Sequence, residues 1–186
     1  MRHVTPVRLE LGIKTIFNLI GPLANPASVT RQLIGVYSRD YVRPFAEVLR
    51  NLGGEKAWIV HGTVPGMAGL DELTTTGISF VAELDQGEIR EFEIAPEDVD
   101  LPRVDIAELK GGDPAHNAQA IRELLAGKPS PYRDVVLLNA AGALIVGGKA
   151  ESLRDGMTLA AGSIDSGAAA KVLEELVTQT NSKVSA

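Results

Sequence analysis

The chain has 186 residues, 45% of them hydrophobic and 23% charged, with a formal net charge of −6. That supports one globular domain with a substantial core, while the acidic balance and the lack of a Lys/Arg cluster argue against a nucleic-acid partner. There is no cysteine, so neither a disulfide framework nor a thiolate metal site is available. The longest apolar run, Val135 to Val146, is broken by Asn139 and falls short of the about 20 residues a membrane span needs, so a cytoplasmic protein without a membrane partner is expected.

Val4, Val7 and Leu11 fall at helical spacing before Gly12, so the chain opens inside a helical pattern and reads as truncated. Thr15 to Leu19 continues the apolar pattern, and Gly21-Pro22 and Asn25-Pro26 are expected to force irregular backbone. Gln32 to Tyr37 is a strand candidate. Val42, Phe45, Ala46, Leu49 and Leu52 mark a helix with Asp40 as N-cap and Gly53-Gly54 as its stop. A strand at Ala57–His61 follows, completing a βαβ unit and a parallel pair.

Ile78 to Leu84 and Glu88 to Ile94 read as a hairpin turning at Asp85-Gln86-Gly87. Asp113-Pro114 opens a helix that stops at Gly127, with an N-cap carboxylate and a proline at the first helical position. Val135–Val146 is apolar nearly all round and reads as a buried helix. Helices over Leu153–Ile164 and Ala168–Val177 follow, the second capped by Ser166, and Thr178–Ala186 reads as a frayed polar tail. The expectation is a single α/β domain over residues 1–178, a mixed, mostly parallel sheet flanked by helices, with a flexible tail at 179–186.

The candidate site lies after the Ala57–His61 strand. Gly62, Pro65, Gly66 and Gly69 make a loop that ends in Leu70-Asp71-Glu72-Leu73. Ligands of open α/β sheets bind at the carboxyl ends of strands. Adjacent carboxylates point to opposite faces of a regular strand, but a turn can bring both toward one cation or toward two neighbouring cations. Mg²⁺ commonly takes one or two carboxylates and completes its shell with phosphate oxygens and water. A solvated acidic turn is the competing reading.

Arg8 sits beside Val7 and Leu9 on the opening helix, where a guanidinium suits a carboxylate or phosphate, or snorkels. Gly21-Pro22 suits a rigid wall against a planar ligand, or a plain connector. Lys110-Gly111-Gly112-Asp113 lacks the spacing of a phosphate loop and reads as a helix cap. His3, His61 and His116 have no zinc-site spacing. His61, beside the acidic loop, reads as an ordinary strand-end histidine or as a substrate contact, and Asn139 as a satisfied buried amide.

Several segments together resemble the anthranilate phosphoribosyltransferase family. They are Val7-Arg8-x-x-Leu11 through Gly21-Pro22-Leu23-Ala24-Asn25-Pro26, Gln32 to Tyr37, Val60-His61-Gly62, Leu70-Asp71-Glu72-Leu73-Thr74, Lys110 to Asp113, and Leu138-Asn139-Ala140-Ala141. They occur in the family's order and reach to about Gly167.

The resemblance implies part of a nucleoside phosphorylase/phosphoribosyltransferase-like catalytic domain. It also implies Mg²⁺-dependent transfer of a phosphoribosyl group from phosphoribosyl pyrophosphate to anthranilate in tryptophan biosynthesis. Arg8 would pair with the anthranilate carboxylate, Gly21 and Pro22 would line the aromatic's path, and Asp71 and Glu72 would hold Mg²⁺ on the diphosphate. No side chain is assigned as a catalytic base.

The family's N-terminal helical domain, its Gly-Thr-Gly-Gly-Asp loop and its Lys-x-Gly-Asn-Arg segment have no counterpart in the chain. The resemblance therefore implies a C-terminal portion that is weakly active or inactive alone. Its partner is the missing N-terminal part, and the full-length enzyme would be a homodimer. A pyrimidine nucleoside phosphorylase of the same fold is the alternative enzyme, and a non-catalytic binding or assembly module is the alternative class.

Overall fold

A computed structural model describes residues 10, 12, 17–25 and 27–182. The opening helix, with His3 and Arg8, lies outside the described residues. The first element is α1 (Phe17–Leu23), which contains Gly21 and Pro22. The irregular backbone expected at Gly21-Pro22 begins instead after α1. A proline near the end of a seven-residue helix forfeits at most one hydrogen bond, and the helix stops at the next residue. Past α1, the Asn25 side chain accepts from the Ala27 N–H (2.9 Å) and Ser28 takes φ +53°.

Strand β1 (Arg31–Gly35) leads through a 3-10 turn at Arg39–Tyr41 into α2 (Val42–Asn51), and β2 (Lys56–Gly62) returns parallel to β1. This is the expected βαβ unit. Its start differs: Asp40 does not cap α2, which follows Tyr41 with no side-chain cap bond, and Ser38 caps the preceding 3-10 turn by accepting from Asp40 N–H (3.3 Å). Ser38 and Asp40 are both competent caps, and Asp40 lies inside the turn that Ser38 closes.

Strands β3 (Ser79–Asp85) and β4 (Glu88–Ile94) form the expected hairpin. Its two turn residues, Gln86 and Gly87, have φ of +48° and +90°, the left-handed pair whose twist matches that of the flanking strands. The sheet order is β1-β2-β3-β4. The sheet is mixed, but the expected parallel majority is not found among the described residues: only β1 and β2 run parallel, and β2–β3 and β3–β4 are antiparallel. The cause is the loop leaving β2, which doubles back. Gly62 and Leu70 exchange backbone hydrogen bonds (2.9 and 2.8 Å) and Thr63 N–H reaches Ile78 C=O (2.8 Å), so β3 must run the other way.

The second half of the chain is helical: α3 (Pro114–Leu125), α4 (Pro131–Val146), α5 (Leu153–Asp165) and α6 (Ala168–Asn181). Helix α2 covers one sheet face through Val42, Phe45, Ala46 and Leu49, meeting Ile34, Ile59, Ala82 and Leu84. Helix α4 covers the other through Leu138, Ile145 and Val146, meeting Trp58, Val60 and Val81. Strand β2 is buried on both faces, which explains its unbroken apolar run.

On its far side α4 packs Leu137 against Ala160 and Ile164 of α5, so it is enclosed on two sides, as its all-round apolar sequence requires. Gly156 permits this crossing, because a Cβ there would stand 2.7 Å from Ala141 Cα. Helix α6 is capped by Gly167 (φ +77°), not by Ser166, whose residue ends α5. Helix α6 continues to Asn181. Its polar side chains bond back to their own helix, Thr178 to Glu174 C=O and Thr180 to Leu176 C=O (2.8 Å each).

Candidate active site: a carboxylate pair on a glycine cradle

The segment Gly62–Ile78 closes over the carboxyl ends of β1 and β2, the location expected for a ligand site in such a sheet. Three glycines allow it to lie close. A Cβ on Gly35 would stand 1.5 Å from the Asp71 carbonyl oxygen, and one on Gly62 would stand 2.7 Å from that of Glu72. At Gly69 (φ +103°) a Cβ would meet the His61 ring at 2.6 Å. The Asp71–Glu72 backbone therefore rests directly on the strand ends, at a distance that only glycine permits.

Behind the two acids the loop is tied down internally. Thr74 N–H donates to Ser79 Oγ (2.9 Å), Thr76 N–H to Thr74 Oγ1 (3.0 Å), and Thr76 Oγ1 to Thr63 C=O (2.8 Å). These threonines are buried, so their hydroxyls replace water for backbone groups that would otherwise be left unpaired. Thr75 is the exception: among the described residues its buried hydroxyl has no partner. Leu73, fully buried, is held on both sides by Asn139 of α4. The amide oxygen accepts from Leu73 N–H (3.0 Å), and the amide nitrogen donates to Leu73 C=O (2.7 Å).

Asp71 is exposed and Glu72 half-buried. Among the described residues neither carboxylate has a hydrogen-bonding or ionic partner. The Glu72 carboxyl is raised above the ordinary glutamate range, first because burial penalises its charged form and second because Asp71 repels it. The two groups therefore share a field in which one positive charge would satisfy both. No group of three or more His, Cys, Asp or Glu side chains able to hold a metal exists among the described residues. The donor set is two hard oxygens, which suits Mg²⁺ completed by other oxygens and does not suit a closed zinc site.

The other residues singled out from the sequence have different surroundings. His61 is buried and its Nδ1 donates to Val36 C=O (2.8 Å), which fits a strand-end histidine that ties β2 to the end of β1. Gly21 and Pro22 are exposed, and the residues just after them, Leu23 and Asn25, line a cavity with Thr30 and Gly54 at the end of the sheet where β1 begins. Asp71 and Glu72 are thus neighbours on one loop, and Gly21 and Pro22 belong to a separate element, α1. Lys110–Asp113 is the expected cap: Asp113 accepts from His116 N–H (2.8 Å), and Gly112 is bonded to the Asn117 side chain (2.9 and 3.1 Å).

Gly35 and the partner of Asn139 were not read from the sequence. A glycine inside a strand signals close backbone approach, so Gly35 carried a legible hint. Asn139 carried none for its partner.

The family model described as "Glycosyl transferase family, a/b domain" matches residues 1–170. The chain belongs to this family. Among curated relatives, the anthranilate phosphoribosyltransferase of Parvibaculum lavamentivorans is 61% identical over 183 residues, covering 98% of this chain and 52% of that protein. The crystal structure of the Thermus thermophilus enzyme of the same name superposes with a TM-score of 0.85 at 41% identity, covering 96% of this chain and 51% of that one. A Saccharomyces cerevisiae structure, described as that enzyme in complex with PRPP and Mg, gives a TM-score of 0.82 at 31% identity, with 94% and 49% covered. The chain thus spans about half the length of the curated relatives it matches. No helix among the described residues is long and apolar enough to cross a membrane.

Proposed function

We propose that this glycosyl transferase chain forms the metal-binding portion of an anthranilate phosphoribosyltransferase, which moves a phosphoribosyl group from phosphoribosyl pyrophosphate to anthranilate in tryptophan biosynthesis. The observation that carries this reading is the Asp71–Glu72 pair: two adjacent carboxylates without a cation among the described residues, one of them desolvated, on a backbone seated against Gly35 and Gly62. Bound there, Mg²⁺ would supply the charge that a departing diphosphate needs.

The chain's own task is placement. The glycine cradle and the threonine ties keep Asp71 and Glu72 at the carboxyl ends of the parallel strands, so little ordering remains when substrate arrives. The names of the relatives agree, and the yeast protein was solved with PRPP and Mg. The aromatic half of the reading, with Arg8 against the anthranilate carboxylate and Gly21 and Pro22 along its path, rests on the sequence resemblance. So do the homodimer, the cytoplasmic setting and the need for a complementary N-terminal part.

The test is loss of anthranilate fluorescence with Mg²⁺ and phosphoribosyl pyrophosphate, on this chain alone and with the N-terminal half of the Parvibaculum relative added. Turnover should appear on addition and vanish in a D71N/E72Q variant. Association of the two parts without turnover would contradict the assignment.

A further inference from the structure

We propose that Asn139 is the positioning residue for the Asp71–Glu72 pair, setting the direction of the Glu72 side chain from helix α4; this rests on reading that pair as the Mg²⁺ site. The Asn139 amide uses both of its donors and one acceptor site. Its nitrogen donates to Leu73 C=O at 2.7 Å and to Val135 C=O at 2.9 Å, and its oxygen accepts from Leu73 N–H at 3.0 Å. Giving one bond to a residue's carbonyl and taking one from its N–H is what a neighbouring antiparallel strand does. A helix cannot offer that from its backbone, whose groups are committed to its own turns. A side-chain amide is how α4 pairs with an extended segment.

The peptide so held is the one that carries Glu72. Leu73 N–H belongs to the Glu72–Leu73 peptide, and Leu73 C=O to the next, so Asn139 fixes the planes on both sides of Leu73. From the opposite side Gly62 supports the Glu72 carbonyl and Gly35 that of Asp71. Glu72 is thus gripped between a strand end and a helix, with its carboxylate projecting from a backbone that cannot rotate. The Val135 bond ties the amide to its own helix, one turn back, so its orientation is inherited from a long buried element rather than from a loop. An amide is required. Aspartate could accept from Leu73 N–H but could not donate to either carbonyl, and alanine offers nothing.

The test uses the full chain with Mn²⁺ as the probe ion. Free Mn²⁺ is followed by electron paramagnetic resonance, and backbone exchange at Leu73 by NMR. N139A should speed Leu73 amide exchange while leaving Val60 in β2 protected, and should weaken Mn²⁺ binding about tenfold at temperatures where the chain is folded. N139Q keeps the amide but displaces it by a methylene, and should fold and bind more weakly than wild type if N139A does not fold. V136A, on the same helix and packed toward α5, should lower stability without moving Mn²⁺ affinity or Leu73 exchange.

Wild-type Mn²⁺ affinity in folded N139A or N139Q would overturn the inference and leave the metal site standing. An equal loss in V136A would reduce Asn139 to a packing role. If D71N/E72Q bound Mn²⁺ as well as wild type, the metal reading itself would fail and take the inference with it.

Discussion

The two ends of the sheet treat charge in opposite ways. Where β2 begins, carboxylates are matched: Lys56 with Asp85 at 2.9 Å, Arg31 with Glu55 at 3.6 Å, and Arg90 with Glu83, which also accepts from the Trp58 indole at 2.8 Å. Glu83 is only 2% exposed, yet partnered. Where β2 ends, Asp71 and Glu72 stand side by side with no partner among the described residues, and burial makes the charge on Glu72 costlier still. A folded chain ordinarily pairs or exposes its carboxylates. The matched end holds the sheet together, and the unmatched end is where the proposed cation would bind.

Breaking the cradle should have the largest effect. In G35V the new side chain would occupy the space of the Asp71 carbonyl, so the loop must leave the strand end. Urea denaturation should show a loss of about 3 kcal/mol or more, with Mn²⁺ binding lost even in the folded fraction. Wild-type stability would mean that the close approach at Gly35 does not exist.

The matched end should respond in stability alone. E83A strands the buried indole N–H of Trp58 and should cost about 1–3 kcal/mol, whereas E83Q, which can still accept that bond, should cost less. Neither should change Mn²⁺ affinity, and a change in it would undo the contrast between the ends.

At the acidic end, E72Q should stabilise the metal-free chain slightly at neutral pH, by no more than about 0.5 kcal/mol. The sign follows from the raised Glu72 carboxyl. The folded chain holds that proton to higher pH than the unfolded one, so this group's contribution is favourable at low pH. It turns unfavourable as pH rises from the ordinary glutamate value through the raised one. Melting temperatures across that window should fall less steeply with rising pH in E72Q than in wild type. Smallest of all, G21A should be neutral to slightly stabilising, because Gly21 sits in α1 and a Cβ added there would meet no atom of the described residues within 4 Å.

Much of the fold was legible because it is written in local patterns. The hairpin at Gln86-Gly87, the Asp113-Pro114 helix start and the doubly buried α4 each follow from adjacent residues. Neither Asp40 nor Ser166 caps the helix expected of it: a 3-10 turn capped by Ser38 intervenes before α2, which starts after Tyr41, and α6 starts from Gly167 with its left-handed φ and no side-chain bond. The reversal after β2 was missed because a glycine-rich loop does not announce its direction; the bonds that set it join Thr63 to Ile78. At the site, the acidic pair could be read from the sequence and its supports could not. Asn139 lies 66 residues from Leu73, and only folding shows that a lone amide in an apolar helix is aimed at the peptide beside Glu72.

Whether Asp71 and a half-buried Glu72 form one unpartnered carboxylate pair that takes a divalent cation is tested by a pH titration of the Glu72 side-chain carboxyl by ¹³C NMR, with and without Mg²⁺. The expected midpoint lies above the ordinary glutamate value in the metal-free chain, moving down in D71N and further down when Mg²⁺ competes with the proton. An ordinary midpoint, unmoved by Mg²⁺ and by D71N, would contradict that reading.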